Sequence, residues 1–312
     1  LNTGKTLNID ATGYTTVYNK LTSNGNIVIE SNGQFIQVND ADTNAGVYTG
    51  TKFQVKRNYT AKDIDYVYWG SPTKAFTVNN LPGGFRYEWN PIYPNSNGTF
   101  GNWRVPTTPT MTEGRGYIAR TFNGSATATT LPFTFYGQPN NGLITVPIAR
   151  GNYFGDGITT GLNYDAEPAN PNNVDTTRWD DNWNLVGNPY PSAVNAIKFL
   201  TANTNLEGFI NIWTHLTPPA STVDPYYYNF GYNYTPADYI TYNLSGAVTG
   251  PGAFNGNIAS GQGFFVLMND GAATTGTAFF NNAMRSDITN KLNYDNSQFF
   301  RTSNFGDAED EK

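Results

Sequence analysis

The residues of this chain that could carry catalysis are few and scattered. Cysteine is absent and His215 is the single histidine. A serine hydrolase needs a histidine base held by a carboxylate, and structural or catalytic zinc is bound mainly through cysteine and histidine. We therefore interpret His215, which follows the predicted strand around Trp213, as a strand-end residue with local hydrogen bonds.

Paired carboxylates offer another route to catalysis, because two acids roughly 5 to 9.5 Å apart can hydrolyse a glycoside. The candidates are Glu88, the pair Asp165 and Glu167, and the pair Asp180 and Asp181. Glu88 adjoins Trp89 in a predicted strand, so the two side chains point to opposite faces and we expect Glu88 to face solvent. No acid recurs with aromatic residues as in a glycosidase. We predict that the protein is not an enzyme.

A short oxygen-rich turn is a candidate calcium site. The stretch NDADTNAG (39–46) places Asp40, Asp42 and Asn44 at alternate positions. Such oxygen ligands suit a hard cation, although the spacing of glycine and glutamate differs from that of an EF-hand. Ordinary hydrogen bonding within an Asp-Asn turn is the alternative. No other cofactor is expected.

Recognition is expected in a tyrosine-rich segment, DPYYYNFGYNYTPADY (224–239). Tyrosine, asparagine and glycine are typical of binding loops, because rigid amphipathic rings combine with adaptable amides. Aromatic faces stack on sugar rings, and amides bond sugar hydroxyls. The candidate ligand-binding residues are Tyr226, Tyr227, Tyr228, Tyr232 and Tyr234. The alternative is that these rings only pack the loop onto its own domain.

The composition favours strands and turns as the elements that carry these residues. Of 312 residues, 15% are aromatic and 13% charged, and glycine, proline and asparagine are abundant. Long helices need more alanine, leucine, glutamate and lysine. The net charge of −6 and the lack of a basic cluster argue against nucleic acid as a partner. No apolar run approaches the roughly 18 residues of a spanning helix, so no membrane insertion is expected.

A short repeat occupies the N-terminal region. TLNIDATGYTTV and NIVIESNGQFIQV align with an offset of 20 residues, which pairs Leu7 with Ile27 and Gly13 with Gly33. This period is typical of the coils of a β-solenoid, and residues 1–60 are predicted to be its end coils, closed by the strand at 51–57. A two-stranded hairpin is the alternative. We expect a longer solenoid to precede them.

A larger duplication follows, with four segments in the same order in both copies. The first copy has YVYWGSP (66–72), FRYEWNP (85–91), GRGYIAR (114–120) and FTFYG (133–137); the second has WNLVGNP (183–189), FINIWTH (209–215), GQGFFVL (261–267) and AFFNN (278–282). We predict an all-β fold in which the solenoid end precedes two jelly-roll-like β-sandwich halves, 61–150 and 183–300. An acidic linker, 151–182, joins them, and 301–312 is predicted to be a flexible tail.

Each copy contains a sharp corner after its first strand. Gly70 and Gly187 each precede a residue-Pro step, and we expect both glycines to adopt positive φ. Tyr190, which precedes Pro191, is expected to be extended. Ser192 is predicted to cap one short helix. A strand, a corner and a covering helix require no chemistry, so we interpret this stretch as architecture.

Four segments resemble a module that is widespread in large exported proteins of Bacteroidetes, especially flavobacteria. They are WNLVGNPYPSAVNAIKFL (183–200), ASGQGFFVL (259–267), FNNAMR (280–285) and NSQFFR (296–301). Such proteins are adhesin-like and carry a C-terminal domain read by the type IX secretion system, so the resemblance implies that secretion machinery as a partner and an extracellular location. The stretch Asp175–Thr177 is similar to the O-glycosylation signal of these bacteria, which would place the sugar on Thr176.

These observations lead to one functional expectation and two alternatives. We expect a non-catalytic extracellular module of a type IX-exported surface protein, with a role in adhesion or in contact with a glycan or surface polysaccharide. The first alternative is a purely structural spacer or stalk segment of a surface filament. The second is a component of a polysaccharide-active enzyme, which would depend on Glu88 or Asp165.

Overall fold

A computed structural model describes residues 1–19, 21–40, 45–46, 52–63, 65–94, 100–151, 182–214, 238–269, 273–287 and 292–299. Strands dominate these residues, together with one α-helix, α1 (Ala196–Ala202), and 3-10 helices at Val78–Asn80 and Asn282–Met284. Over the described residues, the expectation of an all-β fold with one short helix is confirmed. No helix within the described ranges is long and apolar enough to cross a bilayer. Most of the predicted linker and the whole tail lie outside these ranges.

The N-terminal region consists of short strands in parallel ladders. Its strands are β1 (Thr6–Ile9), β2 (Tyr14–Val17), β3 (Thr22–Ser23), β4 (Asn26–Ile29), β5 (Gln34–Gln37), β6 (Ala45–Gly46) and β7 (Phe53–Ala61). β1 pairs with β4 and β4 with β7, β2 with β5, and β3 with β6, all in parallel. Leu7 lies opposite Ile27, so the register has the offset of the sequence repeat. A Cβ on Gly33 would lie 2.7 Å from the Asp10 carbonyl oxygen, so only glycine lets the two turns stack.

The next strands form an antiparallel sheet, called here the first sheet. They are β8 (Tyr66–Trp69), β9 (Gly84–Pro94), β10 (Phe100–Arg104) and β11 (Tyr117–Arg120), followed by β12 (Thr129–Tyr136). The strand order is β10-β9-β11-β8, and β12 pairs with β7 rather than with this sheet.

The remaining strands build the second sheet and its surroundings. They are β13 (Ile144–Ala149), β14 (Trp183–Gly187), β15 (Val194–Asn195), β16 (Leu206–Trp213), β17 (Tyr239–Asn243), β18 (Val248–Thr249), β19 (Asn257–Ile258), β20 (Gly263–Met268), β21 (Thr275–Phe280), β22 (Ser286–Asp287) and β23 (Leu292–Asn293). The second sheet has the order β14-β20-β16-β17-β18, and β13 pairs with β21. The sequence duplication aligns β8, β9 and β11 with β14, β16 and β20, so the two sheets share one strand order.

Three clusters of buried side chains hold these layers together. One packs the N-terminal strands and β12 against the first sheet through Phe35, Phe135 and Trp69. A second packs α1, β13 and β21 against the second sheet, with Phe199 stacked on Phe280 at 4.7 Å. The third lies where the two sheets face each other. Because side chains alternate along a strand, Trp69 contributes to the first cluster and Tyr68 to the third.

The two corner glycines meet at the contact between the halves. The expectation of positive φ is wrong for Gly70 and Gly187, since the glycines with positive φ lie elsewhere. Glycine is needed for close approach instead: a Cβ on Gly187 would lie 2.6 Å from the Gly70 Cα. The Gly70 amide donates to the Gly261 carbonyl and the Gly187 amide to the Gly114 carbonyl, each at 2.8 Å. Since Gly114 and Gly261 also correspond, the contact is pseudo-symmetric.

The second corner is a buried junction of several elements. The Asn140 side chain donates to the carbonyl oxygens of Ser71 and Pro189, both at 2.9 Å, and so links the two corners. Ser192 does not cap the helix as predicted. Its hydroxyl accepts from the Arg285 guanidinium at 2.8 Å, and Asn195 caps α1 by accepting from the Lys198 amide at 3.0 Å.

Candidate functional site

The facing sheets enclose the candidate site, a cluster of aromatic and apolar side chains that we call the aromatic seam. Its buried members are Tyr68, Trp89, Ile118, Leu185, Trp213 and Phe265, and its partly buried members are Tyr66, Tyr87, Trp103, Trp183 and Tyr239. Strands β8, β9, β10 and β11 supply one side of the seam, and β14, β16, β17 and β20 the other.

The inner rings of the seam are fixed by mutual contact. Tyr68 lies 5.0 Å from Trp213, and Trp89 meets Phe265 edge-on at 5.3 Å, measured between ring centroids. The Tyr68 and Tyr239 hydroxyls are 2.8 Å apart, so one donates to the other. Such pairs prefer edge-on or tilted geometry, and the hydrogen bond between the two hydroxyls restricts the rotation of both tyrosine rings. The seam is therefore preorganised.

The outer rings are held with part of their surface in solvent. Trp103 lies edge-on to Trp89 at 5.1 Å and remains partly exposed. Trp183 is also partly exposed, and its carbonyl oxygen accepts from the Trp89 indole N–H at 2.8 Å. Each ring thus presents an apolar face on a rigid sheet, which is an arrangement that can bind a flat apolar ligand surface.

The chain that contains the tyrosine-rich segment leaves the second sheet at this seam and re-enters it there. Trp213, at the end of β16, lies opposite Tyr239, at the start of β17. Just beyond them, the amide and the hydroxyl of Thr214 both donate to the Asp238 carbonyl, at 2.8 and 2.6 Å. The chain between these two residues carries the candidate ligand-binding residues, Tyr226, Tyr227, Tyr228, Tyr232 and Tyr234, all of which lie outside the described residues.

Glu88 lies in a different setting from the one expected. Its side chain is only 17% exposed, and a carboxylate oxygen lies 3.1 Å from a guanidinium nitrogen of Arg115. The expectation that Glu88 faces solvent is therefore wrong, because Arg115 of the GRG segment covers and neutralises it. Asp165, Glu167, Asp180, Asp181 and His215 lie outside the described residues.

The candidate calcium turn is described only at its first residue. Asp40 accepts from the backbone amide of Asn282 at 2.9 Å and so joins the N-terminal region to the second half. Asp42 and Asn44 lie outside the described ranges, as does the glycosylation candidate Thr176. In the described part of the chain, no three acidic or histidine side chains gather as metal ligands.

Sequence reasoning missed most of the seam. Trp89 and Trp213 served only to align the two copies, and Trp103 and Trp183 were given no role. A signal was available in β8, where Tyr66 and Tyr68 lie on one face of the strand and Val67 and Trp69 on the other. That pattern predicts an aromatic face, but it does not predict that a second sheet covers it.

Comparison with known proteins places the chain in a family without an assigned activity. No curated protein and no solved structure matches it. A family match covers residues 1–312. The chain therefore belongs to the family described as Domain of unknown function (DUF8693).

Proposed function

We propose that this chain is a non-catalytic extracellular module of an exported surface protein and that it contacts glycans through the aromatic seam and the tyrosine-rich segment rooted there. The observation that carries the proposal is the set of partly exposed rings, Trp103 and Trp183 above all, on two rigid sheets. An aromatic face stacks on the apolar face of a sugar, and a preorganised face loses little entropy on binding. Export by the type IX machinery rests on the resemblance alone.

The proposal includes a finer architecture. The N-terminal strands form the last coils of a β-solenoid, which is supported by three parallel ladders and the matching register of Leu7 and Ile27. The rest forms two sandwich halves related by duplication, which is supported by the shared strand order and by the pseudo-symmetric contact of Gly70 and Gly187. Two rigid halves would hold the seam open at one edge.

The proposal is tested by binding to a glycan array and to polysaccharide from whole cells. We expect Trp103→Leu, which keeps an apolar side chain but removes the aromatic face, to weaken binding about fivefold to tenfold. A second variant replaces the five candidate tyrosines with serine and should also weaken binding. Tyr14→Ala is the matched control, because Tyr14 is an exposed aromatic residue of β2, outside the seam.

The outcome also separates the main alternative. A spacer or stalk segment would lose neither thermal stability nor adhesion when the five tyrosines become serine. A folded wild-type protein that binds no glycan and no cell polysaccharide would contradict the glycan part of the proposal. Hydrolysis of a polysaccharide that Glu88→Gln abolishes would contradict the non-catalytic part.

A further inference from the structure

A second aromatic surface lies at the start of β9. Phe85 is 54% exposed and Phe122, just after β11, is 49% exposed. Their ring centroids are 5.5 Å apart at an interplanar angle of 48°. The guanidinium carbon of Arg120 lies 5.6 Å from the Phe85 ring and 4.9 Å from the Phe122 ring. We call these three side chains the Phe-Arg platform.

The backbone at Phe85 is unusual for a bulky residue. β9 and β11 shift register here, since Ala119 lies opposite Arg86 and Arg120 opposite Gly84, which leaves Phe85 as the extra residue of a bulge. Its φ is +45°, a left-handed conformation that glycine or asparagine adopts readily. Bulges redirect side chains and concentrate near functional sites. The bulge turns the Phe85 ring outwards despite this strain.

The corresponding bulge in the second half avoids the strain. There the duplication aligns Phe85 with Phe209, and the positive φ of +77° falls on the neighbouring Gly208. It also aligns Arg120 with Leu267, which is 1% exposed, and Phe122 with Asn269. The second half thus has a bulge without strain beside a buried leucine. The first half has a strained bulge beside an exposed phenylalanine pair and an arginine. The platform is therefore no requirement of the fold.

Both loops that carry the platform are fixed by hydrogen bonds. Arg86 donates to the Leu81 carbonyl at 2.6 Å and to the Gly83 carbonyl, which pins the turn before Phe85. The Thr121 amide donates to the Asp65 carbonyl at 2.6 Å, and the Gly124 amide to the Asp63 carboxylate at 2.7 Å, on either side of Phe122. The two rings are therefore exposed and preorganised, which lowers the entropic cost of binding.

Arg120 leaves a charge available at the platform. Its guanidinium forms no hydrogen bond and no ion pair with the described residues, and its Nε is buried without a partner. A guanidinium pairs strongly with a carboxylate, which it binds through two parallel hydrogen bonds. The Phe-Arg platform thus combines a guanidinium whose N–H groups are available to a ligand with two apolar rings.

The size of the platform restricts the class of ligand. Two half-exposed phenylalanines offer about 200 Å² of ring surface, whereas a stable protein interface needs about 800 Å² from each partner. One sugar ring with a carboxylate matches both the area and the single charge. We propose that Phe85, Arg120 and Phe122 bind a hexuronate unit of an acidic glycan, with the carboxylate on Arg120 and the apolar sugar face on the rings.

The proposal is tested by calorimetric titration with trigalacturonate and with its carboxyl-reduced, neutral counterpart. We expect saturable binding of the acid, and binding at least tenfold weaker for the neutral sugar and for Arg120→Gln. Phe122→Ala should cause a comparable loss. Tyr14→Ala is the control at an equally exposed aromatic residue and should bind as the wild type does.

Phe85→Asn separates recognition from stability. Asparagine tolerates left-handed φ, so the variant should keep or raise its Tm while its binding of trigalacturonate weakens at least tenfold. A lower Tm with unchanged binding would overturn the proposal, as would a wild-type protein that does not bind the acid. Saturable binding of an acidic peptide with a lower Kd than that of trigalacturonate would overturn the assignment of a sugar as the ligand. The aromatic seam consists of aromatic and apolar side chains, so the dependence of binding on the carboxylate and on Arg120 tests the platform separately from the seam.

Discussion

At the scale of single residues, Tyr190 shows why the corner after β14 is so rigid. Its ring is fully buried, its hydroxyl donates to the Gly142 carbonyl at 2.6 Å, and the Arg285 guanidinium lies 4.5 Å from the ring centroid. The Tyr190 carbonyl in turn accepts from the Ser260 hydroxyl at 2.7 Å. Proline on either side fixes the backbone that presents these groups. The corner is therefore a structural junction.

Burial of Tyr190 predicts a specific loss of stability in alkali. Burial raises the pKa of this phenol above its ordinary value of 10.0. As the pH rises, the Tyr190 phenol therefore loses its proton in the unfolded chain before it does so in the folded protein. The stability that the protonated, buried phenol contributes is complete below pH 10 and falls as the pH rises through 10. The loss is on the order of 1 kcal/mol at pH 11. Urea unfolding at pH 8 and pH 11 should show that Tyr190→Phe loses less stability over this interval than the wild type.

The comparison of wild type and variant cancels the contribution of Arg57 to the pH dependence of stability, which has the opposite sign. Burial lowers the pKa of Arg57 to about 9, so this residue adds stability as the pH rises above 9, equally in both proteins. Burial is also the main cause of the lowered pKa of Arg285, and the Tyr190 charge raises that pKa. Tyr190→Phe removes this charge, so the pKa of Arg285 falls further and the variant loses still less stability at high pH, in the predicted direction. Equal losses in the two proteins would contradict the assignment of the alkaline loss to Tyr190.

At the scale of elements, residues 292–299 return to the N-terminal strands. The Asn296 side chain donates to the Gly33 carbonyl at 2.9 Å and accepts from the Ser260 amide at 2.8 Å. Its carbonyl and side-chain oxygens also accept from the buried guanidinium of Arg57, at 2.9 and 3.1 Å. One asparagine thus joins two parts of the N-terminal region, Gly33 and β7, to the second half.

Asn296→Ala should therefore cost about 3 kcal/mol of unfolding free energy, because it removes one hydrogen bond from a buried guanidinium and leaves the Gly33 carbonyl and the Ser260 amide without their side-chain partner. The measurement is the midpoint of urea unfolding at pH 7. Asp295→Ala is the neighbouring control, since Asp295 is exposed and should change stability by less than about 1 kcal/mol. Similar effects of the two substitutions would show that this segment does not hold the elements together.

The elements were predictable where a local pattern determines them. The repeat of Leu7 and Ile27 has the offset of the parallel register of β1 and β4, and three of the four duplicated segments occupy equivalent places in the two sheets. A glycine before a residue-Pro step fits either a positive φ or a close approach, so the role of Gly70 and Gly187 could not be read from the pattern. Asn195 and Ser192 are equally good caps by type, and only the position of Arg285 assigns Ser192 elsewhere.

The candidate sites were harder to predict because they depend on distant packing. The aromatic seam needs two sheets to face each other, and no local period encodes that. The Phe-Arg platform depends on a bulge whose position follows from the register of β9 against β11. A sequence shows Phe85 beside two glycines, but it does not show that the phenylalanine rather than a glycine takes the left-handed conformation.

At the scale of the whole molecule, the two sheets form a pseudo-symmetric pair about the corner glycines. Trp69 bridges to Gln262, and Val186, its counterpart, bridges to Arg115, the counterpart of Gln262. The aromatic seam fills the rest of the contact between the sheets. Since each half packs on the other through backbone contacts as well as rings, we expect the halves to unfold together rather than separately.

Gly187→Ala tests this coupling. The new Cβ would lie 2.6 Å from the Gly70 Cα and 3.1 Å from its nitrogen, so the backbones must separate. We expect a loss of about 3 kcal/mol or more, with the change in tryptophan fluorescence, which reports the seam, preceding the change in far-UV circular dichroism. Gly276→Ala is the matched control, because its Cβ would meet only side-chain atoms, at 3.2 Å or more. If both variants unfold like the wild type, with the two signals coincident, the corner glycines do not couple the halves.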